Sequence, residues 1–121
     1  MKKLLIIIAL ILIVSGLGAD SFANQTDDCR SSGILNASAV IVARAARLTD
    51  IAIYTDGTNA VTVTCYDNKT AASGTVLAKA IVAGASLNGG SFIPIPIRAA
   101  SGIYCSLSGT GGSMIILYDP Q

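Results

Sequence analysis

After its first quarter the chain shows short apolar runs separated by turn residues, and no segment keeps a helical period for three turns. From Val61 to Tyr66 the alternation is strict: Val61, Val63 and Cys65 fall on one face, and Thr62, Thr64 and Tyr66 on the other. Such a period of two belongs to a half-buried strand. Ile103, Cys105 and Leu107 repeat the pattern. The stretch from Asn36 to Leu48 (NASAVIVARAARL) has helix-forming alanines and arginines, but Val40-Ile41-Val42 is β-branched throughout and favours a strand. Seven strands are expected: Val40–Ala43, Leu48–Thr55, Val61–Tyr66, Val76–Val82, Ser91–Ile97, Ile103–Leu107 and Met114–Tyr118. Pro94 and Pro96 cannot donate ladder hydrogen bonds, so the fifth is expected at an edge or as an extended segment. Gly, Asn, Asp and Ser fill the gaps. The predicted class is all-β: an antiparallel β-sandwich or jelly roll of about seven short strands, preceded by an N-terminal signal helix.

That helix comes from a different pattern. Lys2 and Lys3 precede an unbroken apolar run, Leu4 to Val14, and Ser15 to Ala23 then turns small and polar. Ser21-Phe22-Ala23 offers small residues at the −3 and −1 positions of a signal-peptidase site, so cleavage is expected between Ala23 and Asn24. The apolar segment is shorter than the ~20 residues of a membrane span. Contact with a membrane is therefore expected only through this segment, and only if it stays uncleaved. The expected organisation is a secretory signal peptide over 1–23, a polar flexible leader over 24–33 and one sandwich domain over 34–121. The expected location is outside the cytoplasm: periplasmic, extracellular or virion-associated.

Composition changes the picture mainly by exclusion. Of 121 residues, 52% are apolar and 12% charged, and there is no His. All the acids are Asp; Glu and Trp are missing. Without the signal peptide, Arg30, Arg44, Arg47, Lys69, Lys79 and Arg98 balance Asp27, Asp28, Asp50, Asp56, Asp67 and Asp119. A neutral domain offers no long-range attraction to nucleic acid, and none is expected as a partner. Histidine-dependent catalysis and His-ligated metals are excluded. No cofactor, metal site or catalytic residue is expected.

The three cysteines are Cys29, Cys65 and Cys105. Cys65 and Cys105 both fall on inward faces of expected strands. They are candidates for a disulfide between the two sheets, with two buried free thiols as the alternative. Cys29 is left over in the polar leader, and no His exists to activate a thiol nucleophile. Asp56, Asp67, Asn59 and Asn68 sit near strand ends and could approach one another. Asp-Gly and Asp-Asn pairs are ordinary turn chemistry, and no calcium-loop spacing appears. Ser108 to Ser113 (SGTGGS) lacks the Lys and helix of a phosphate loop and reads as a hairpin. Tyr54, Tyr66, Tyr104 and Tyr118 would form a sugar-stacking platform if they shared an outer face; packing and cross-strand pairing are the competing roles.

Two stretches carry a resemblance: YTDGTNAVTVTCYDNKTAASGTVLAK, Tyr54 to Lys79, and SFIPIPIRAASGIYCSLSGTGGSMIILY, Ser91 to Tyr118. Together they resemble a group of small β-sandwich proteins encoded by tailed bacteriophages, of virion accessory, decoration or fibre-associated type. The resemblance rests on turn and strand signatures: TDGTNA, YDN, AASGTVLAK, GIY and SGTGGS. It implies a non-enzymatic structural module acting by subunit packing or surface attachment, with a homo-oligomer or another virion or surface protein as partner. The signal peptide and the Cys65/Cys105 pair set this chain apart from that group. They motivate the alternative of a secreted or periplasmic module that binds cell-surface glycans.

Overall fold

The computed structural model describes residues 28–85 and 96–121, together with the backbone of 88–89. The junction at Ala23 and Asn24, the signal helix and most of the expected Ser91–Ile97 strand lie outside the described residues. The described residues hold nine strands: β1 (Arg30–Ser31), β2 (Ala39–Val42), β3 (Ala46–Tyr54), β4 (Val61–Asp67), β5 (Thr75–Val82), β6 (Asn88–Gly89), β7 (Ile97–Ala99), β8 (Ile103–Ser108) and β9 (Ser113–Pro120). No helix occurs among the described residues. They form two antiparallel sheets. Sheet A runs β1-β9-β3, with β6 and β7 pairing with opposite ends of the far edge of β3. Sheet B runs β2-β8-β4-β5. The architecture is all-β and sandwich-like, as the alternation implies.

The inward faces carry the core. Leu48, Ile51 and Ile53 of β3, with Met114 and Ile116 of β9, meet Val61, Val63 and Cys65 of β4 and Ile103 and Cys105 of β8; all are fully buried. No polar or charged side chain is buried among the described residues. The period-two pattern placed Val61, Val63, Cys65, Ile103 and Cys105 on their proper side, whereas in β3 a bulge between Leu48 and Asp50 shifts the alternation so that Leu48 and Ile51 both face the core. Leu107, Ile97 and Tyr118 pack against the same cluster from its margin.

The Asn36–Leu48 stretch holds β2, a bend at 43–45 and the start of β3. Burial of Ala46 and Leu48 against the opposite sheet overrides the helical propensity of its alanines. The reading of 24–33 as a flexible leader is corrected over its last residues. Arg30 and Ser31 pair with Tyr118 and Leu117 of β9, and Ser32 both donates its N–H to the Ile116 carbonyl (2.9 Å) and accepts the Ile116 N–H on its hydroxyl (2.9 Å). The segment is polar because it is an exposed edge, not because it is free of the sheet. The expected fifth strand is represented by Ile97, which opens β7 immediately after Pro96; β7 is an edge strand on β3, opposite Ala46–Leu48.

Candidate functional site: the outer face of sheet B

Turns fix the strands first. Asp56 accepts the N–H groups of Thr58 (2.8 Å) and Asn59 (2.8 Å) and the Asn59 side-chain amide (2.8 Å). These bonds favour the carboxylate and hold its pKa below the usual range. Gly111, at φ +70°, packs against this carboxylate so closely that a Cβ would overlap it. At the other end of β4, Asp67 accepts the N–H of Ala100 (3.0 Å) and of Ser101 (2.8 Å), and its pKa is lowered for the same reason. Asn68 orders the β4–β5 loop: its Oδ1 accepts from Thr70 (2.8 Å) and Ala71 (3.2 Å), and its Nδ2 donates to the Ser73 carbonyl (3.2 Å). The turn reading of these residues therefore stands. Their mutual approach does not, because Asp56 and Asn59 lie at one end of β4, Asp67 and Asn68 at the other.

The disulfide is present: Cys65 and Cys105 are bonded, with Cα atoms 4.1 Å apart. Its placement corrects the sequence expectation. Cys65 and Cys105 are direct cross-strand partners on β4 and β8, so the bond lies within sheet B rather than between sheets. Both residues face inward, but β8 inserts between β2 and β4 and brings the two strands side by side. Cys29 is exposed, its Sγ 3.6 Å from the Thr49 hydroxyl.

With the inward residues of β4 and β8 assigned, their alternates form the outer face of sheet B. Register aligns one row across all four strands: Val40, Tyr104, Tyr66 and Val76. The two tyrosines are half-buried and directly opposed, and the flanking Val40 and Val76 are 45% and 52% exposed. A second row holds Ser106, Thr64 and Lys79; a third holds Ser108, Thr62 and Ile81, the last 59% exposed. Lys79 is the single charge in these rows. Of the four tyrosines, the fold brings Tyr66 and Tyr104 together. Tyr54 lies at the end of β3 in the other sheet, exposed, and Tyr118 packs against the core. The four-tyrosine platform is thus reduced to a pair. The valines beside that pair were missed from sequence, because a bulge between Val40 and Val42 and another beside Tyr66 set their register.

The outer face of sheet A differs in chemistry. Arg98, Arg47 and Asp119 share a row across β7, β3 and β9, and Asp50 stands opposite Leu117. Compared with known protein families, curated proteins and solved structures, the chain has no match.

Proposed function

We propose that the protein is a non-enzymatic structural module of jelly-roll type, an accessory component of the kind carried by tailed-bacteriophage virions. It acts by packing onto other subunits or attaching to a surface through the outer face of sheet B. The observation that carries this reading is the Val40–Tyr104–Tyr66–Val76 row, an apolar and aromatic band across a face with one charge. Contiguous exposed apolar surface rimmed by hydroxyls is characteristic of an interaction site. Tyrosine suits such a site because it adds large contact area at low entropic cost.

The wiring supports the same reading. The chain passes from sheet A to B to A to B, makes the β4–β5 hairpin within B, and returns through A and B to end in A. With β6 and β7 sharing one edge position, this order supports the jelly-roll reading, an architecture used in capsid and lectin domains. The Cys65–Cys105 bond is compatible with an oxidising, exported location.

The test uses the full chain expressed with its leader and recovered with the disulfide formed. A Tyr66→Ser/Tyr104→Ser variant should fold normally and lose association with virions or envelope fractions, read by quantitative mass spectrometry. Unchanged association in the folded variant removes the reading. A second reading, recognition of cell-surface glycans, is favoured by the Tyr66–Tyr104 pair specifically, since adjacent rings on a hydroxyl-rich face suit stacking against a sugar. An array of cell-surface glycans with no signal from the wild-type protein eliminates it.

A further inference from the structure

Among the described strands, the two sheets end in four edges. In sheet A, β1 has two residues, and β6 and β7 have two and three. In sheet B, β2 has four residues and a bulge. Short and bulged edges are how β-proteins avoid unwanted pairing. The fourth edge is β5, TVLAKAIV, with eight residues, no proline and one charge; among the described strands it pairs with β4 alone. Of the large apolar side chains exposed among the described residues, Val76 and Ile81 both belong to it.

The ladder shows which peptide groups face the open side. Asn68 donates its N–H to the Gly102 carbonyl (3.1 Å), the bond that flanks a non-hydrogen-bonded pair at Asp67 and Ile103. Counting by two, Cys65 and Cys105 are also such a pair, in keeping with their 4.1 Å Cα separation. Peptide groups of Cys65, Val63 and Val61 therefore turn to β5 and engage their register partners Ala78, Ala80 and Val82. The N–H and C=O groups of Lys79 and Ile81 point the other way, to the side on which no described strand pairs with β5.

We infer that β5 is a homodimerisation edge: the β5 strands of two copies pair antiparallel about a two-fold axis at Ala80, joining both B sheets into one. The inference rests on the reading of the protein as a packing module and names its partner. A second copy suits this edge because the strand is self-complementary. Centred on Ala80, the pairing sets Lys79 opposite Ile81 of the other copy and Ala78 opposite Val82. The lysine stem then covers the exposed isoleucine while its ammonium reaches water. Centring on Lys79 would oppose two like charges directly, which is unfavourable. The joined sheet would present both Tyr66–Tyr104 pairs on one face.

The test is oligomeric state combined with amide exchange on the disulfide-bonded protein. Sedimentation should give twice the chain mass. Amides of Ala78, Ala80 and Val82 should be protected at every concentration, those of Lys79 and Ile81 only where the dimer is populated. Ile81→Pro removes an N–H that lies outside the β4–β5 ladder, so it should leave that ladder intact and give a monomer. Ile81→Lys, which opposes lysines across the axis without altering the backbone, should do the same. A monomer at all concentrations, a dimer indifferent to both variants, or Lys79 and Ile81 amides protected at every dilution would overturn the inference. Each outcome is separable from loss of attachment in the Tyr66/Tyr104 variant, which changes no residue of β5.

Discussion

The two sheets share one core but present unlike surfaces. The outer rows of sheet B carry Lys79 as their single charge, with a tyrosine pair, flanking valines and a ladder of Ser and Thr. Sheet A presents Arg47, Arg98, Asp50 and Asp119, and its edges are short. Sheet B alone holds a covalent cross-link, placed directly beneath the tyrosine pair, since Cys65 and Cys105 immediately neighbour Tyr66 and Tyr104. A charged, short-edged sheet is built to stay in water. On the function proposed above, the nearly uncharged sheet with its locked centre is the one that meets a partner, and its rigidity would reduce the entropy lost on meeting it.

The largest test of that contrast is the disulfide. Its cysteines are 40 positions apart, and chain entropy alone assigns such a loop about 4 kcal/mol. Cys65→Ala/Cys105→Ala should lower unfolding free energy by roughly this amount, read by denaturant titration, with exchange protection lost from β4 and β8 first. Earlier loss in β3 and β9 would show that sheet A, not sheet B, depends on the bond.

Next is acid sensitivity at the end of β4. Asp67 holds the loop before β8 through the N–H groups of Ala100 and Ser101, and its folded pKa is depressed. A depressed carboxyl contributes stability that is present above its unfolded pKa and is lost as pH falls through the folded pKa. Melting temperature should therefore drop as pH falls below the ordinary Asp range, and Asp67→Asn should flatten part of that drop. Asp56 is depressed by its own turn and accounts for another part. Equal slopes for wild type and Asp67→Asn would remove Asp67 from the account.

Smaller still is the fold's dependence on the tyrosines. Tyr66→Ala should cost about 1 kcal/mol or less, the scale of a cross-strand pair, while abolishing attachment. A much larger loss of stability would make the pair structural. The smallest effect is expected in sheet A. Arg98→Glu replaces a directly opposed like-charge pair with an attractive one against Arg47, so stability should rise by a few tenths of a kcal/mol with attachment unchanged. A loss of attachment here would reverse the assignment of the two faces.

Much of this fold was legible along the chain. The strands expected at Val61–Tyr66, Val76–Val82 and Ile103–Leu107 occur within a residue or two as β4, β5 and β8, because one buried face imposes a period of two. Two short strands, β1 and β6, were not legible. Two residues carry no period, and Arg30–Ser31 becomes a strand only because β9 offers an edge. At the candidate site, alternation put Tyr66 outward and Cys65 inward, but could not say which strand lay beside β4.

By itself, the sequence determined the class of fold, the inward and outward sides of β4 and β8, the turn roles of Asp56 and Asn68 and the scarcity of reactive groups. These are local properties, decided by side-chain alternation and short-range hydrogen bonds. Tertiary structure alone decided that β8 lies between β2 and β4. That one adjacency turned an expected inter-sheet disulfide into a bond within sheet B and set Tyr104 against Tyr66. Strand order depends on contacts some forty residues apart in the chain, and no local pattern encodes which of several similar apolar strands will be the neighbour.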